Sequence, residues 1–335
     1  MPVETQTPKN GGIIIDDTSD LRQELQDGLP QRYTIKRQIG RGGMATVFLA
    51  EEHQPNRQVA IKVLDPDVTT RLTRKRFLRE IELISGLTHP HIVPIFAAGD
   101  AGELLYYVMP FIEGETLRHR LAHKGALDLD EALHIAWDVA DALDHAHKNG
   151  VIHRDIKPEN VLISGGHAVV SDFGIARAVT CAECGDEIQS ITKAGIAIGT
   201  PLYMSPEQAV GDPNMDGRTD IYSLGCVLYE MVTGQPPFSG GTTFEIMARH
   251  TQERIPRVTT PSGPAPASIR QIVTKAMSKD PKNRFASAGE LAGLLHQARS
   301  SSNGRALLHD RVLDTRVLAA AGLAFAAALL YLLLI

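Results

Sequence analysis

Cysteine is scarce in this 335-residue chain: three cysteines form no even disulfide framework, which argues against a stapled secreted scaffold and points to a reducing compartment. An excess of positive charge is also missing. With a formal net charge of -5, no global basic field favours nucleic acid as a partner. No repeat at solenoid period is present, which excludes stacked-repeat architectures. No charged-then-apolar secretory signal opens the chain, because the apolar run Ile13 to Ile15 is too short for one. At 43% hydrophobic and 22% charged, the composition suits a folded chain with a sizeable core, in two small domains or one two-lobed enzyme.

The two ends differ in character. Residues 1–32 are expected to form a flexible leader with a short helix, since Leu21, Leu25 and Leu29 recur at helical spacing with Asp20 as the expected N-cap. Val317 to Ile335 is a run of 19 residues without a charge. As a helix it spans about 28 Å, close to the roughly 30 Å hydrocarbon core of a bilayer. A buried globular helix ordinarily keeps one polar face, and this segment has none. Arg299, Arg305, Arg311 and Arg316 outnumber Asp310 and Asp314 beside it, which by the positive-inside rule places the upstream domain in the cytoplasm. The expectation is a single-pass protein of the cell membrane, with residues 299–316, Ser-rich at their start, as a juxtamembrane linker.

Between the ends, strand-like alternation in Thr46 to Ala50 and Val59 to Val63 gives way to helical patterns such as Asp130 to His147 and Asp220 to Thr233. A glycine run, Ile39-Gly40-Arg41-Gly42-Gly43-Met44-Ala45-Thr46-Val47, lies between two strand-like segments. Glycines let a hairpin backbone approach phosphate oxygens and present N–H groups to them, although a glycine hairpin is also simply a tight turn. Lys62 follows inside the apolar strand Val-Ala-Ile-Lys-Val, where a flanked charge needs an anionic partner. Downstream, Phe77, Ile81 and Ile84 mark the apolar face of a helix that also carries Glu80.

The densest signal is His153-Arg154-Asp155-Ile156-Lys157-Pro158-Glu159-Asn160, followed by Asp172-Phe173-Gly174 and then Ser205-Pro206-Glu207. With the glycine loop and Val-Ala-Ile-Lys, these motifs stand in the order and at the separations of the eukaryotic-type protein kinases, and the chain resembles that family from about Tyr33 to Ala298, its bacterial membrane-anchored members in particular. The resemblance implies an α+β, two-lobed protein kinase fold: a small β-rich lobe with one key helix over 33–111, a larger helical lobe over 112–298, and in addition the C-terminal transmembrane helix. It implies ATP and Mg²⁺, with Mn²⁺ as a substitute, and transfer of the γ-phosphate to serine or threonine hydroxyls of proteins, this chain included.

By resemblance, Asp155 accepts or orients the substrate hydroxyl proton and Lys157 neutralises the γ-phosphate in flight. Asn160 and Asp172 hold the metal, and Lys62, fixed by Glu80, holds the α- and β-phosphates. Thr200 is expected near Asp155 and Lys157; it and Lys157 favour serine/threonine over tyrosine specificity. Around the nucleotide the family pattern points to Ile39, Gly40, Gly42, Val47, Ala60, Met109, Pro110, Ile112 and Glu113. Met109 is the gatekeeper of a hinge in which the Pro110 carbonyl accepts and the Ile112 N–H donates. Pro110 departs from the acidic residue common there but removes only a donor that the pattern does not use. Ala45 replaces the third glycine of the loop. Arg154, directly before Asp155, implies regulation by a phosphate on Thr192 in the activation segment, through a transient homodimer for trans-autophosphorylation.

Other features read as architecture. His153 and Phe173 pack, Asp220 is expected to cap its helix and brace the catalytic loop, and Glu207 with Arg284 resembles the family's buried ion pair. Cys181 and Cys184 remain open between inert thiols, a redox couple and a shared metal site. The thirteen histidines show no ligand spacing, and His89-Pro90-His91 reads as a turn. Two other classes compete with an active kinase. A pseudokinase scaffold would lack the lysine, the base or a metal ligand, all of which are in place. A small-molecule phosphotransferase would lack the Ser-Pro-Glu anchor.

Overall fold

The computed structural model describes residues 17–43, 45–65, 71–173 and 201–301. It divides into two compact units, Met1–Arg71 with Phe96–Phe111, and Leu72–Ile95 with Ile112–Ile335. The first is a β-sheet unit and the second is predominantly helical.

In the first unit, helix α1 (Asp17–Gly28) precedes strands β1 (Tyr33–Arg41), β2 (Ala45–His53) and β3 (Asn56–Leu64), and β4 (Ala97–Ala101) and β5 (Leu104–Pro110) complete an antiparallel sheet in the order β1-β2-β3-β5-β4. Helix α1 starts four residues earlier than expected, so Asp20 lies inside its first turn and is not the N-cap. An acidic side chain there still suits the positive end of the helix. The expected apolar stripe holds: Leu25 and Leu29 join Tyr33, Phe48, Ile61 and Val108 in one core, and Leu21 packs against it. Gly28 allows the helix end to sit on β4, because a Cβ there would lie 2.6 Å from that of Ala101. The Gln26 amide accepts from Ile35 N–H at 2.7 Å and donates to the Tyr33 carbonyl at 3.1 Å. It thereby satisfies backbone groups of an edge strand that would otherwise invite another chain.

In the second unit, Phe77, Ile81 and Ile84 of α2 (Arg71–Ser85) are buried, as their spacing predicts. Helix α3 (Leu117–Lys124) opens on a true cap, Thr116 Oγ1 accepting from His119 N–H at 3.1 Å. Then come α4 (Leu129–Lys148) and a three-stranded sheet of β6 (Glu115–Thr116), β7 (Val161–Ser164) and β8 (His167–Val170). Past the short helix α5 (Pro206–Ala209), α6 (Arg218–Thr233) is buried from Thr219 to Val232, the pattern of a helix at the centre of a core. Helices α7 (Thr243–Gln252) and α8 (Ala267–Ala276) follow.

A last helix runs over 288–301, so residues 299–301 continue it and do not open the linker expected there. Arg299 ties this end of the helix to α4, its guanidinium donating to Asp130 at 2.9 Å and to His134 Nδ1 at 2.7 Å. Among the described residues no helix is long and apolar enough to cross a membrane, and the segment 317–335 lies outside them.

Candidate active site

The site is built on one buried carboxylate. Asp220, fully enclosed in the first turn of α6, accepts from His153 N–H at 2.8 Å, from Arg154 N–H at 2.7 Å and from His147 Nε2 at 2.8 Å. The cap position of α6 is Gly217, so the capping role expected of Asp220 is wrong and its bracing role is right. Burial alone would raise its pKa, but the His147 bond and the backbone donors outweigh that and hold it below the usual carboxylate range. It therefore stays an anion, and two successive backbone amides are fixed on it. Arg154 is left with φ of 66°, a left-handed conformation uncommon outside glycine. Its carbonyl is pinned from the other side by Gln208 Nε2 at 2.7 Å.

The next residues inherit that geometry. His153 accepts from Asp155 N–H at Nδ1, 3.2 Å, and so donates from Nε2 to the Ser171 carbonyl at 2.9 Å. Its ring also meets Phe173 edge-on, with centroids 4.6 Å apart, the packing role expected of both. Asp155, its side chain 39% exposed, receives Lys157 Nζ at 2.7 Å and Asn160 Nδ2 at 3.0 Å on Oδ2. Asn160 Nδ2 also donates to the Asp155 carbonyl at 2.8 Å. That spends the amide nitrogen on Asp155 and leaves the Asn160 Oδ1 atom as an acceptor. Ser171 N–H returns to the Asn160 carbonyl at 3.0 Å and Ser171 Oγ lies 3.3 Å from Asp172 Oδ2. Asp172 also has φ of 66°. A carboxylate and an amide oxygen brought to the two ends of the β7–β8 hairpin are hard donors of the kind Mg²⁺ accepts.

The expected nucleotide residues fall on the sheet unit and the segment after it. Ile39 and Gly40 lie on β1, with Gly40 opposite Val47 of β2. Gly42 N–H closes the hairpin onto the Ala45 carbonyl at 2.8 Å. Among the described residues neither glycine is demanded by packing, since a Cβ at Gly40 or Gly42 would come no closer than 3.8 Å to any of them beyond its chain neighbours. Lys62 sits in mid-β3 between Val47 and Tyr107, Ala60 faces Met109 across the β3–β5 pair, and Pro110 ends β5 opposite Val59. Ile112 and Glu113 follow directly, and Glu80 lies half-buried on α2 in the second unit. Thr200, Thr192, Cys181 and Cys184 lie outside the described residues. The remaining cysteine, Cys226, is buried in α6 with its thiol pKa pushed up by that burial, an unreactive position.

Some partners were invisible in the sequence. Arg118 of α3 donates to Glu159, in the catalytic loop, and to Glu230, in α6, both at 2.7 Å, and Tyr203 bonds to both Arg118 and Glu230. No local pattern joins residues so far apart. The staple from Gln208 to Arg154 spans 54 residues and has no local signal, but the box that holds Gln208 has one: Ser205-Pro206-Glu207-Gln208 is a capping box, with Ser205 Oγ accepting from Gln208 N–H and Gln208 Oε1 from Ser205 N–H. The predicted ion pair is present as a two-pronged contact, Arg284 to Glu207 at 2.6 and 2.7 Å.

Comparison with known proteins agrees with this arrangement. The protein kinase domain family matches residues 33–295. Serine/threonine-protein kinase PknB of Mycobacterium tuberculosis is 41% identical over 270 residues, covering 78% of this chain and 42% of its own length. PknD of the same species is 39% identical, covering 83% and 42%. The probable serine/threonine-protein kinase CPE1738 of Clostridium perfringens is 38% identical, covering 82% and 39%. The chain thus spans about two fifths of the length of these relatives. With its catalytic loop held on Asp220 and its sequence matched from 33 to 295, the chain belongs to the protein kinase domain family, among the eukaryotic-type serine/threonine kinases.

Proposed function

We propose that this chain is a serine/threonine protein kinase that moves the γ-phosphate of ATP to hydroxyls of protein substrates, its own included. The observation that carries the reading is the joint hold of Lys157 and Asn160 on one oxygen of Asp155. Phosphoryl transfer asks a protein mainly for positioning and charge neutralisation. Asp155 orients the attacking hydroxyl and takes its proton, and Lys157 answers the charge that grows on the transferred group. Lys62, with Glu80 as its expected partner, holds the α- and β-phosphates. Asn160 and Asp172 would hold Mg²⁺, which when bound would neutralise charge on the phosphates. The lack of any close packing contact at Gly40 and Gly42, where a Cβ would meet nothing nearer than 3.8 Å among the described residues, supports close approach of phosphates to their backbone, and Ala60, Val47, Ile39 and the Met109 to Glu113 hinge would enclose adenine. With Mg-ATP the purified full chain should label itself and a general protein substrate on serine or threonine. Lys62→Met and Asp172→Asn should each remove that label, and retention of it by either would break the assignment.

The domain limits 33–111 and 112–298 are proposed for the two lobes, and Val317 to Ile335 as a membrane anchor with the kinase on the cytoplasmic side. Its support is the uncharged run itself and the arginines before it. Alkaline carbonate should leave the full chain in the membrane pellet and release a chain cut after Arg311; equal release of both would remove the anchor.

Regulation is proposed at Thr192. A phosphothreonine there brings about -1.5 to -2 charges and strong acceptors toward Arg154, whose backbone is already fixed on Asp220 and Gln208. Autophosphorylation should start slowly and accelerate, whereas Thr192→Ala should stay slow with no lag. Full activity in protein carrying no phosphate between Asp172 and Glu207 would exclude this switch.

A further inference from the structure

Although the thirteen histidines show no ligand spacing in sequence, the second unit gathers several of them around one buried acid. His91 follows α2, Asp138 lies in α4 and His167 opens β8, and one donor atom from each lies within 4.8 Å of the others. Asp138 Oδ1 stands 3.5 Å from His91 Nε2, and Asp138 Oδ2 stands 3.4 Å from His167 Nδ1. Two ligands at about 2.0–2.2 Å from a tetrahedral ion lie roughly 3.3–3.6 Å apart. The same 3.5 Å is too long for a charge-assisted hydrogen bond, which closes to about 2.7–2.9 Å.

Hydrogen bonding around the cluster fixes the roles. His91 Nδ1 lies 2.8 Å from the Ala168 carbonyl, an acceptor only, so Nδ1 donates there and Nε2 is the ring nitrogen turned toward Asp138. Orientation of a ligating histidine by a carbonyl on its other nitrogen is the usual second shell of a metal site. Asp138 Oδ2 is held by Ala168 N–H at 2.7 Å. Asp138 Oδ1 has no hydrogen-bond partner among the described residues, although the side chain is fully buried. A buried carboxylate oxygen left so, 3.5 Å from an imidazole nitrogen, is costly, and a cation held between the two would relieve that cost. His134 is excluded as a ligand: its Nδ1 lone pair accepts from Arg299, and its Nε2 stands 3.9 Å from Asp138 Oδ2, beyond hydrogen-bond reach. The His167 side chain is 58% exposed and leaves an entry path and a fourth position for water.

We propose that His91 Nε2, the Asp138 carboxylate and His167 Nδ1 form a binding site for a divalent transition-metal ion, Zn²⁺ foremost. Two imidazoles and one carboxylate suit Zn²⁺ and its first-row neighbours, whereas Mg²⁺ requires an octahedral shell of oxygens. The ion would link α4, the segment after α2 and β8, the strand that runs directly into Ser171 and Asp172. Such a link is separate from the Asn160 and Asp172 metal position.

Trp137, the only tryptophan of the chain, has its ring 6.0 Å from that of His91 and 6.4 Å from that of His134 and so reports on this cluster. The test is titration of the detergent-solubilised full chain with Co²⁺ in excess Mg²⁺, read by visible absorption and by Trp137 fluorescence. One equivalent of Co²⁺ should give a tetrahedral-type spectrum and quench Trp137, and Zn²⁺ should reverse both. His167→Ala, a surface change that leaves the fold intact, should weaken binding by more than the ~10–100-fold that loss of an outer-shell partner costs. Lack of a saturating signal, equal binding by His167→Ala, or a thiolate-to-cobalt charge-transfer band with Trp137 unquenched would each overturn the site, the last by assigning the ion to Cys181 and Cys184.

Discussion

Asp155→Asn should lower the rate of phosphate transfer by about two to three orders of magnitude, the usual loss when one preorganised charged group is removed from a reacting centre. The size of the effect follows from the surroundings of Asp155. Its Oδ2 is held between Lys157 Nζ at 2.7 Å and Asn160 Nδ2 at 3.0 Å, and its backbone is set by the amides fixed on Asp220. Asparagine keeps the shape and loses both the proton acceptor and the counter-charge of Lys157. Thermal unfolding of the variant should stay close to that of the parent, because the side chain is 39% exposed and asparagine keeps its shape. Initial rates with the same protein substrate give the ratio directly. Parental turnover in the variant would mean that another group takes the proton.

The second large effect concerns folding. Arg284 and Glu207 are nearly fully buried and joined by two bonds of 2.6 and 2.7 Å. Arg284 also donates to the carbonyls of Ser278, Arg218 and Lys279, and Glu207 accepts from Thr219 Oγ1 at 2.8 Å. Removing either partner strands a charge and several bonds in the interior, so Glu207→Ala or Arg284→Ala should each cost about 3–5 kcal/mol. Against a total stability of about 5–15 kcal/mol, that threatens the helical unit as a whole. Lys275→Ala supplies the contrast. Its pair with Glu290 is 2.8 Å long but about 40% exposed at both ends, and such pairs are worth about 0–1 kcal/mol. Denaturant unfolding should separate the two cases, and similar losses would contradict the argument from burial.

The pair also has a pH signature. Burial raises the pKa of Glu207, but the Arg284 bonds and charge more than offset this and leave it below its ordinary 4.5. A carboxylate with a depressed folded pKa contributes stability above its unfolded value and loses it as pH falls through the folded one. Acidification below 4.5 should therefore shrink the gap between the parent and Glu207→Gln. A gap that widened would reverse the sign of the interaction.

What could be read beforehand was local. His153 to Asn160 is one contiguous motif, and the structure brings Asp155, Lys157 and Asn160 together within it. The apolar stripes of α1 and α2 were likewise visible, because a helix repeats its buried face every three or four residues. Contacts between distant residues were not. Arg118 meets Glu159 and Glu230 only after α3, the catalytic loop and α6 have packed, and Asp138 finds His91 and His167 only across α4 and β8. Helix starts failed for a different reason: Asp20 and Asp220 both lie in first turns, where an acid is favoured by the helix dipole as well as by capping.

The measurement that bears most directly on the central claim is intact-mass and phosphopeptide analysis of the purified full chain after incubation with Mg-ATP, beside Asp155→Asn treated identically. The kinase assignment predicts phosphate on serine and threonine residues of the parent chain and, in the variant, addition slower by about two to three orders of magnitude. A parent chain that gains no phosphate and transfers none to added protein, while still binding ATP, would contradict it and favour a nucleotide-binding scaffold.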